Sequence, residues 1–343
     1  MPTADQLSER ELRVLEAVVQ TYIETAEPAG SQTIARRFGL GVSPATIRNT
    51  MSELEDKGYL FHPHTSAGRI PTDRAYRVYV NAIMRLAPPS SEVQQALRSE
   101  LVGSRNAVEE ILRRAAQVLG VLTQELGVAV APALDELVLE RLELVPVTTE
   151  RLLLVFNLRS GVVRTIFVEV PARTALAPMH EVARILNERL GGLTLRQIRE
   201  TVGERLRDAG SAEGRELLNI FIAEGEEIFD LDEGGAVVLG SAQMLAEQPE
   251  FASNTRMREL LRLTERRETL QEALATRRRH GLSVTIGTEN PDARLTEFTL
   301  VTSSYEAGGV RGVIGVMGPT RMPYDKIIGL VEHTSRMVEG LLE

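Results

Sequence analysis

The hydrophobic positions near the start of the chain recur with the spacing of α-helices. Apolar side chains three or four residues apart predict a first amphipathic helix over residues 7–25. A second, short helix is predicted to begin at Ser31, interpreted as its N-cap. A third begins after Ser43, with Pro44 at its first position, and ends at Gly58, where glycine tolerates a left-handed backbone. The chain therefore opens with three consecutive helices.

The segment after the third helix has the pattern of a short strand followed by a polar loop. Residues 59–61 are apolar or aromatic, whereas residues 62–69 carry no large apolar side chain. A further helix is predicted from Thr72, and the Pro-Pro-Ser-Ser run at 88–91 marks a linker. This order of elements predicts a winged helix-turn-helix domain, in which the third helix recognises DNA and the loop forms a wing.

Beyond the linker the pattern alternates between helical and strand-like stretches. A helical pattern over 92–126 precedes three strand-like runs, and a mostly helical block over 178–281 precedes three more strands and a terminal helix after Pro323. The strand-like runs are 137–147, 151–158, 162–170, 282–288, 296–305 and 310–317. Strands, helices and strands again predict one α+β domain with a helical insertion, and thus an α+β multidomain chain.

Composition narrows the classes of protein to be considered. At 343 residues the chain is long enough for two or three domains, and 43% hydrophobic with 25% charged residues is ordinary for a globular protein. The absence of cysteine excludes disulfides, thiolate nucleophiles and cysteine-based zinc sites. No apolar run reaches about 18 residues and the N-terminus lacks a signal-peptide layout. We therefore expect a cytoplasmic protein without a membrane segment.

The charge distribution limits how DNA can be bound. The net charge of −9 excludes a protein coated in nucleic acid, so any DNA-binding surface must be local. Residues 31–79 hold seven cations against four anions, but the acidic first helix leaves residues 1–87 close to neutral. Because Lys57 and Lys326 are the only lysines, an arginine at any one position carries less information than usual.

The third helix has an outward face suited to reading bases. If Ile47, Met51 and Leu54 face inward, the opposite side carries small and polar residues. These residues are Ala45, Thr46, Arg48, Asn49 and Ser52. Arginine can contact guanine through two hydrogen bonds, asparagine can contact adenine in the same way, and alanine can pack on a thymine methyl group. The pattern predicts base recognition, although a plain surface helix on a helical bundle has the same pattern.

Phosphate contacts are predicted at two helix starts and in the wing. Free N–H groups at the helices beginning near Ser31 and Ser43 attract anions. The wing offers His64, Ser66 and Arg69 to phosphates or to a minor groove, and the alternative is an ordinary mobile hairpin loop.

Other chemistry has little support in the sequence. His62 and His64 have no acidic neighbour at a metal-ligand spacing, so no metal site is expected. The Gly312-x-x-Gly315-x-x-Gly318 pattern lies among strands without the helix of a dinucleotide site, and more simply marks strand packing. No catalytic serine, histidine and aspartate arrangement or carboxylate pair stands out. We expect no enzymatic activity and no cofactor.

Several strings of residues resemble the heat-inducible transcription repressor family, HrcA. The most specific are His-Thr-Ser-Ala-Gly-Arg at 64–69 and Gly-Pro-Thr-Arg-Met at 318–322. The matching segments are 28–35, 42–51, 54–72, 75–80, 286–291 and 312–324. The chain departs from the family pattern at Ala29, Thr50 and Ala75, where valine, aspartate and glycine are usual, so base preferences need not be the same.

The resemblance implies a three-domain organisation. It implies a winged-helix DNA-binding domain over 1–87, a GAF-like domain over 92–195 and 282–343, and an inserted, mostly helical dimerisation domain over 196–281. Within the first domain we expect Arg48, Asn49 and Ser52 to face bases. Ser31, Ser43, Thr46, Ser66 and Arg69 are expected mainly to hold phosphates, with His64 in either role.

The resemblance also implies a function and partners. The family acts as a homodimer on an inverted-repeat operator in double-stranded DNA, called CIRCE, ahead of chaperone operons. Repression is lost on heat stress and depends on the GroE chaperonin to keep the repressor folded. The alternative is a winged-helix regulator controlled by a small-molecule ligand of the GAF-like domain, for which the apolar strands and glycine-rich turns around 282–318 leave room.

Overall fold

The computed structural model describes most of the chain, and the described residues fall into two compact units. It describes residues 7–63, 68–84, 86, 88–102, 108–132, 135, 137–159, 163–171, 179–209, 214–230, 237–265, 267–307 and 310–342. The first unit comprises Met1–Val130, Val237–Tyr305 and Val313–Leu341. The second comprises Ala131–Ala236, Glu306–Gly312 and Leu342–Glu343. Each unit combines helices and strands, which confirms the mixed helix-and-sheet class.

The first unit begins with the three predicted helices. The N-terminal elements are α1 (Glu9–Thr25), α2 (Ser31–Phe38), α3 (Pro44–Asp56), β1 (Leu60–Phe61), β2 (Ile70–Pro71) and α4 (Asp73–Val78). α4 continues into a wider helical turn at Tyr79–Ile83. The helices pack around fully buried Leu15, Ile34 and Leu54, one from each. The apolar spacing of the sequence therefore predicts the correct buried faces.

One predicted helix start is wrong. The N-cap of α2 is Gly30, whose carbonyl oxygen accepts a hydrogen bond from the Ile34 N–H at 3.0 Å. Ser31 is the first helical residue, and only 8% of it is exposed. Glycine is also a favoured N-cap residue. Because the prediction took the neighbouring serine as the cap, it placed the start of α2 one residue too late.

The remaining elements alternate in chain order between helices and strands. They are α5 (Ser91–Val102), α6 (Val108–Thr123), β3 (Leu126–Val130), β4 (Leu139–Thr148), β5 (Arg151–Leu158), β6 (Val163–Glu169), α7 (Met179–Leu190), α8 (Leu195–Leu206), α9 (Arg215–Ala223), α10 (Gly225–Ile228), β7 (Val237–Leu239), α11 (Gln243–Ala246), α12 (Asn254–Glu265), α13 (Arg267–Ala275), β8 (Ser283–Ile286), β9 (Phe298–Ala307), β10 (Val310–Pro319) and α14 (Tyr324–Leu342).

A five-stranded sheet forms the centre of the first unit. Its order is β7-β3-β10-β9-β8, and β10 pairs antiparallel with β3 from Val313 opposite Val130 to Met317 opposite Leu126. One face packs against apolar side chains of α12 and α13, such as Leu263. On the other side α6 lies so close that a Cβ on Gly127 would overlap a backbone carbonyl of α6. The sheet is thus covered on both faces at β3.

The strand β3 is missing from the sequence prediction, which continues a helix to residue 126. All five residues of β3 are buried. A strand buried on both faces has no alternation of polar and apolar residues, so periodicity does not distinguish it from a helix. The consequence is large, because β3 is the strand that joins β7 to β10.

The second unit has a separate antiparallel sheet in the order β4-β5-β6. Its inner face, with Leu154, Phe156 and Leu158, packs against helices α7 to α10. The sequence places these strands in one domain with the C-terminal strands, whereas in the structure the two sets form separate sheets. The predicted boundaries at 196 and 281 also differ from the two units, because residues 237–281 contribute β7 and α11 to α13 to the first unit. Residues 237–281 belong to the first unit because β7 pairs with β3, a central strand of its sheet.

Candidate nucleic-acid interface

The helix α3 is held by a cap at its start and by an apolar face. The Ser43 Oγ accepts a hydrogen bond from the Thr46 N–H at 3.1 Å, and Pro44 occupies the first turn. Ile47 and Leu54 are fully buried and Met51 nearly so. Gly58, with φ of +76°, follows the helix end. The predicted cap, buried face and stop are all confirmed, so the opposite face of α3 is fixed in direction.

The outward face of α3 carries the predicted base-reading residues. Ala45, Arg48, Asn49 and Ser52 are exposed, and Thr46 is half-buried. Thr50 lies on the inner side, 1% exposed, and its hydroxyl donates to the Thr46 carbonyl at 3.2 Å. The departure from the family pattern at Thr50 is therefore a matter of helix packing, away from the exposed face.

Several cations of the N-terminal segment, unlike Arg48, are tied to carboxylates. The ion pairs are Arg10–Glu53 at 3.9 Å, Lys57–Glu11 at 2.6 Å, Arg69–Glu55 at 2.7 Å, and Arg37–Glu24. Within the part of the chain that the structure describes, no carboxylate lies at ion-pair distance from Arg48. The segment is close to neutral as a whole, but α3 presents one uncompensated guanidinium beside Asn49 and Ser52.

The ion pair of Lys57 and Glu11 joins the end of α3 to the start of α1. Burial opposes ionisation of Glu11, but hydrogen bonds from Lys57 and from Ser8 outweigh burial and lower the pKa of the Glu11 carboxyl. Ser8 and Glu11 also form a capping box at the start of α1. The Lys57–Glu11 ion pair therefore holds the C-terminal end of α3 against α1, whereas the Ser43 cap lies at the other end of α3.

The start of α2 offers different residues from the predicted Ser31. With Gly30 as the N-cap, Gln32 and Thr33 are the exposed residues of the first turn, while Ser31 is buried. Both residues therefore lie exposed at the end of α2 where the first backbone N–H groups have no partner within the helix.

The base of the hairpin is pinned to the loop before α2. The Arg69 N–H and C=O exchange hydrogen bonds of 2.9 Å with the C=O and N–H of Ala29. A Cβ on Gly68 would overlap the Ala29 carbonyl, so this position requires glycine. The Gly-Arg end of the His-Thr-Ser-Ala-Gly-Arg string therefore has a structural role. His64 and Ser66, the other predicted wing residues, lie outside the described residues.

The Arg69 side chain faces the protein. Its guanidinium pairs with Glu55 in the last turn of α3, and 17% of the side chain is exposed. Nearby, the Arg74 guanidinium lies 4.4 Å from the centre of the Tyr59 ring and donates to the Lys57 carbonyl at 3.0 Å. Both arginines thus hold the hairpin and α4 against α3, a role that sequence spacing does not reveal.

The described part of the chain contains neither a metal-binding cluster nor a membrane-spanning helix. Among the described residues, no group of three or more histidine, aspartate or glutamate side chains is placed to hold a metal ion. No helix in the described ranges combines the length and apolar character that crossing a bilayer requires.

Comparison with known proteins identifies relatives over nearly the whole chain. A family model described as HrcA protein C terminal domain matches residues 109–328. A heat-inducible transcription repressor HrcA from Chlorobium phaeobacteroides is 38% identical, with 95% of this chain and 96% of that protein covered. One from Chlorobium luteolum is 36% identical, with 98% of each covered. The two repressor matches, which cover 95% and 98% of the chain, include α3 with its exposed face.

A solved structure shares the fold. A crystal structure described only as that of a hypothetical protein superposes with a TM-score of 0.63, covers 98% of both chains and is 23% identical in sequence. At that identity the likeness concerns the fold alone.

Proposed function

The chain belongs to the heat-inducible transcription repressor HrcA family, and from that membership we propose that it negatively regulates heat-shock genes by binding DNA. The observation that carries the proposal is the outward face of α3, where Arg48 and Asn49 are exposed and Arg48 has no ion-pair partner in the described chain. A regulator of this kind needs no enzymatic activity and no cofactor, and it acts in the cytoplasm, where the genome is.

We propose roles for the described residues of the interface from this geometry, and for His64 and Ser66 from the family resemblance alone. Residues 1–87 form a winged-helix domain, with α3 in the major groove. Arg48, Asn49 and Ser52 read base edges, and Ala45 packs on a base methyl group. Ser43 and Thr46 at the N-terminus of α3 contact phosphates, together with the first turn of α2, where Gln32 and Thr33 supplement Ser31. His64 and Ser66 contact DNA from the wing, and Arg69 anchors it.

We propose a homodimer that binds an inverted-repeat operator of the CIRCE type ahead of chaperone operons. A two-fold dimer places the same recognition helix on each half of a palindrome. The five-stranded sheet of the first unit is the GAF-like domain, and the second unit is the inserted domain that carries dimerisation.

The open face of the sheet in the second unit supports self-association. Registers of β4, β5 and β6 place Val145, Leu153, Val155, Val163 and Phe167 on the side opposite the helices. Phe167 and Val163 are each 55% exposed and Val145 is 41% exposed. An apolar patch of this kind on a soluble domain marks an interaction surface, and a second copy offers the same patch in return.

The dependence on the GroE chaperonin follows from marginal stability. If the folded dimer is only a few kcal/mol more stable than unfolded chains, folding assistance sets how much repressor is present. Heat-damaged proteins compete for the chaperonin, the folded dimer declines, and chaperone genes are released.

One observation favours the alternative, control by a small molecule bound to the GAF-like domain. A cavity of about 580 Å³ is lined by residues that include Arg277, Thr285 and Asn290, together with the acidic residues Glu272, Glu289 and Asp292. Burial lowers the pKa of the Arg277 guanidinium to about 10, and no carboxylate of the described chain pairs with it. A thermal-shift screen with small organic anions, set against purified GroE, separates the two modes of control, because only a ligand raises the melting temperature without chaperonin.

Footprinting tests the proposed function most directly. Purified full-length chain is incubated with the chaperone-gene promoters of its own genome and digested with a nuclease. We expect protection of an inverted repeat, with two equivalent half-sites, and loss of protection with Arg48→Ala. Absence of protection at every such promoter would contradict the proposal.

A further inference from the structure

Two attachments join the N-terminal helices to the C-terminal part of the first unit. At the first, Arg77 of α4 donates from Nε to Glu289 Oε1 at 2.7 Å, and a second guanidinium nitrogen binds Glu289 Oε2. The same guanidinium donates to the Val284 carbonyl of β8 at 2.7 Å. A two-pronged contact between guanidinium and carboxylate fixes direction as well as distance.

Asp73, at the start of α4, contacts the short helical turn Gly287–Glu289, which also carries the partner of Arg77. The Asp73 carboxylate accepts hydrogen bonds from the backbone N–H and the hydroxyl of Thr288, both at 2.9 Å. The turn has little room, because a Cβ on Gly287 would overlap the Asp73 carboxylate, and Gly287 has a φ of +53°. Glu289 is itself held by the Ile286 N–H at 2.9 Å. Both ends of α4 are thus clamped on a rigid turn.

Arg321 makes the second attachment, at the end of α1. It donates to the Ile23 carbonyl at 2.7 Å and binds the Glu250 carboxylate through two nitrogens at 2.6 and 3.1 Å. Close by, the buried rings of Tyr76 and Tyr324 lie 5.8 Å apart. Attachment at two separate points prevents rotation about either one, so the direction of the N-terminal helices relative to the sheet is determined.

We propose that Asp73, Arg77 and Arg321 are positioning residues that set the half-site spacing of the operator. The inference rests on the proposed function as a DNA-binding dimer. Where the recognition helix is held rigidly on the body of each protomer, only one separation and rotation of the two half-sites fits both helices. If the attachment is loosened, each α3 still fits its half-site, but the dimer accepts other spacings. None of these three residues faces DNA from α3 or from the wing.

The test measures affinity of the full-length chain for duplexes in which the spacer of the footprinted repeat is lengthened or shortened in single-base-pair steps. For the wild type we expect a sharp preference for the natural spacing. For Arg77→Gln combined with Asp73→Asn we expect the ratio of affinities for natural and altered spacing to fall about tenfold. Affinity for a single half-site should not change. Gly287→Ala, which alters only the C-terminal side of the contact, should act in the same direction.

Charge reversal supplies the decisive control. Arg77→Glu alone should lose the spacing preference, and Arg77→Glu combined with Glu289→Arg should regain much of it, which a role in folding alone would not produce. Arg336→Gln removes an exposed ion pair with Glu332 in α14 and should leave the preference intact.

A loosened variant that keeps the sharp preference while it folds and dimerises would overturn the inference, as would failure of the reversed pair to restore it. If wild-type protein protects no repeat at all, the proposed function itself has failed, which is a different result.

Discussion

Two exposed faces of this molecule differ in chemistry, because one presents a cation among polar residues and the other presents apolar side chains. The outward side of α3 is polar and small, and it presents the guanidinium of Arg48 without a carboxylate partner in the described chain. The open face of the sheet in the second unit presents Phe167 and Val163, each more than half exposed. Charged side chains border these apolar residues, and the Arg151 guanidinium lies 4.6 Å from the centre of the Phe167 ring. The first face suits a polyanion with readable base edges, and the second suits an apolar surface such as its own copy.

The comparison teaches that exposure alone says little about a partner. Arg69 and Arg48 have the same side chain, yet Arg69 pairs with Glu55, whereas Arg48 has no carboxylate partner among the residues that the structure describes. What matters is whether a carboxylate of the folded chain already pairs with the charged side chain.

The largest expected effect comes from a charge in the apolar face. Phe167→Glu should leave a folded monomer by sedimentation analysis and lower affinity for the full inverted repeat by about a hundredfold or more, because the two half-sites are no longer bound together. Val121→Glu changes an equally exposed apolar residue of α6, 57% exposed, and should have no such effect. A variant at Phe167 that still dimerises would exclude this face as the interface.

The second largest effect on DNA binding is expected from a change on the outward face of α3. Arg48→Ala should cost about 1–3 kcal/mol of DNA binding and relax the preference at one base pair in each half-site, because a two-hydrogen-bond contact is lost. The free energy of unfolding should stay the same, since the side chain supports no described contact within the fold. Competition binding with operator variants checks this. Equal weakening on every sequence would reassign Arg48 to a phosphate.

A smaller effect on DNA binding is expected for Arg69, because its guanidinium is already paired with the Glu55 carboxylate. Arg69→Ala should lower DNA affinity on all sequences alike and cost about 1 kcal/mol of stability, because a partly exposed ion pair that anchors the wing is removed. Glu55→Ala should lower affinity in the same way if anchoring is the cause. If instead only Arg69→Ala flattens the dependence of affinity on salt, Arg69 contacts phosphate directly.

The smallest effect is a pH dependence of stability. The pKa of Glu11 in the folded chain is below its ordinary value of 4.5, so the ionised form stabilises the fold. That contribution is complete above about pH 4.5 and is lost as pH falls through the lower folded-state pKa. Chemical denaturation at several pH values should show a steeper acid loss for the wild type than for Glu11→Gln. Equal slopes would contradict the role of Lys57 and Ser8.

Local patterns predicted the bounds and the buried face of α3 well. Ser43, Pro44 and Gly58 act through their own backbone or near neighbours, so the start and end of α3 follow from the sequence without knowledge of distant parts. The buried face of α3 follows from periodicity in the same way. At α2 the same reasoning misplaced the cap by one residue, because Gly30 and Ser31 are both good caps.

Features that depend on distant contacts were not predicted. The role of Arg69 requires Glu55, and the roles of Asp73 and Arg77 require a turn about 200 residues later in the chain. The division of the chain follows from pairing of β3 with β7 and β10, and β3 carries no periodic signal of its own.

The sequence by itself determined the helix order, the capped helix α3 with its exposed polar face, and, through its strings of residues, the family. These depend on spacing and on short-range hydrogen bonds. Only the tertiary structure decided which cations are satisfied inside the protein, which strands share a sheet, and how the N-terminal helices are clamped to the C-terminal part. Those properties come from groups that are far apart in the chain and meet only when the chain folds, which the pattern of any one segment does not encode.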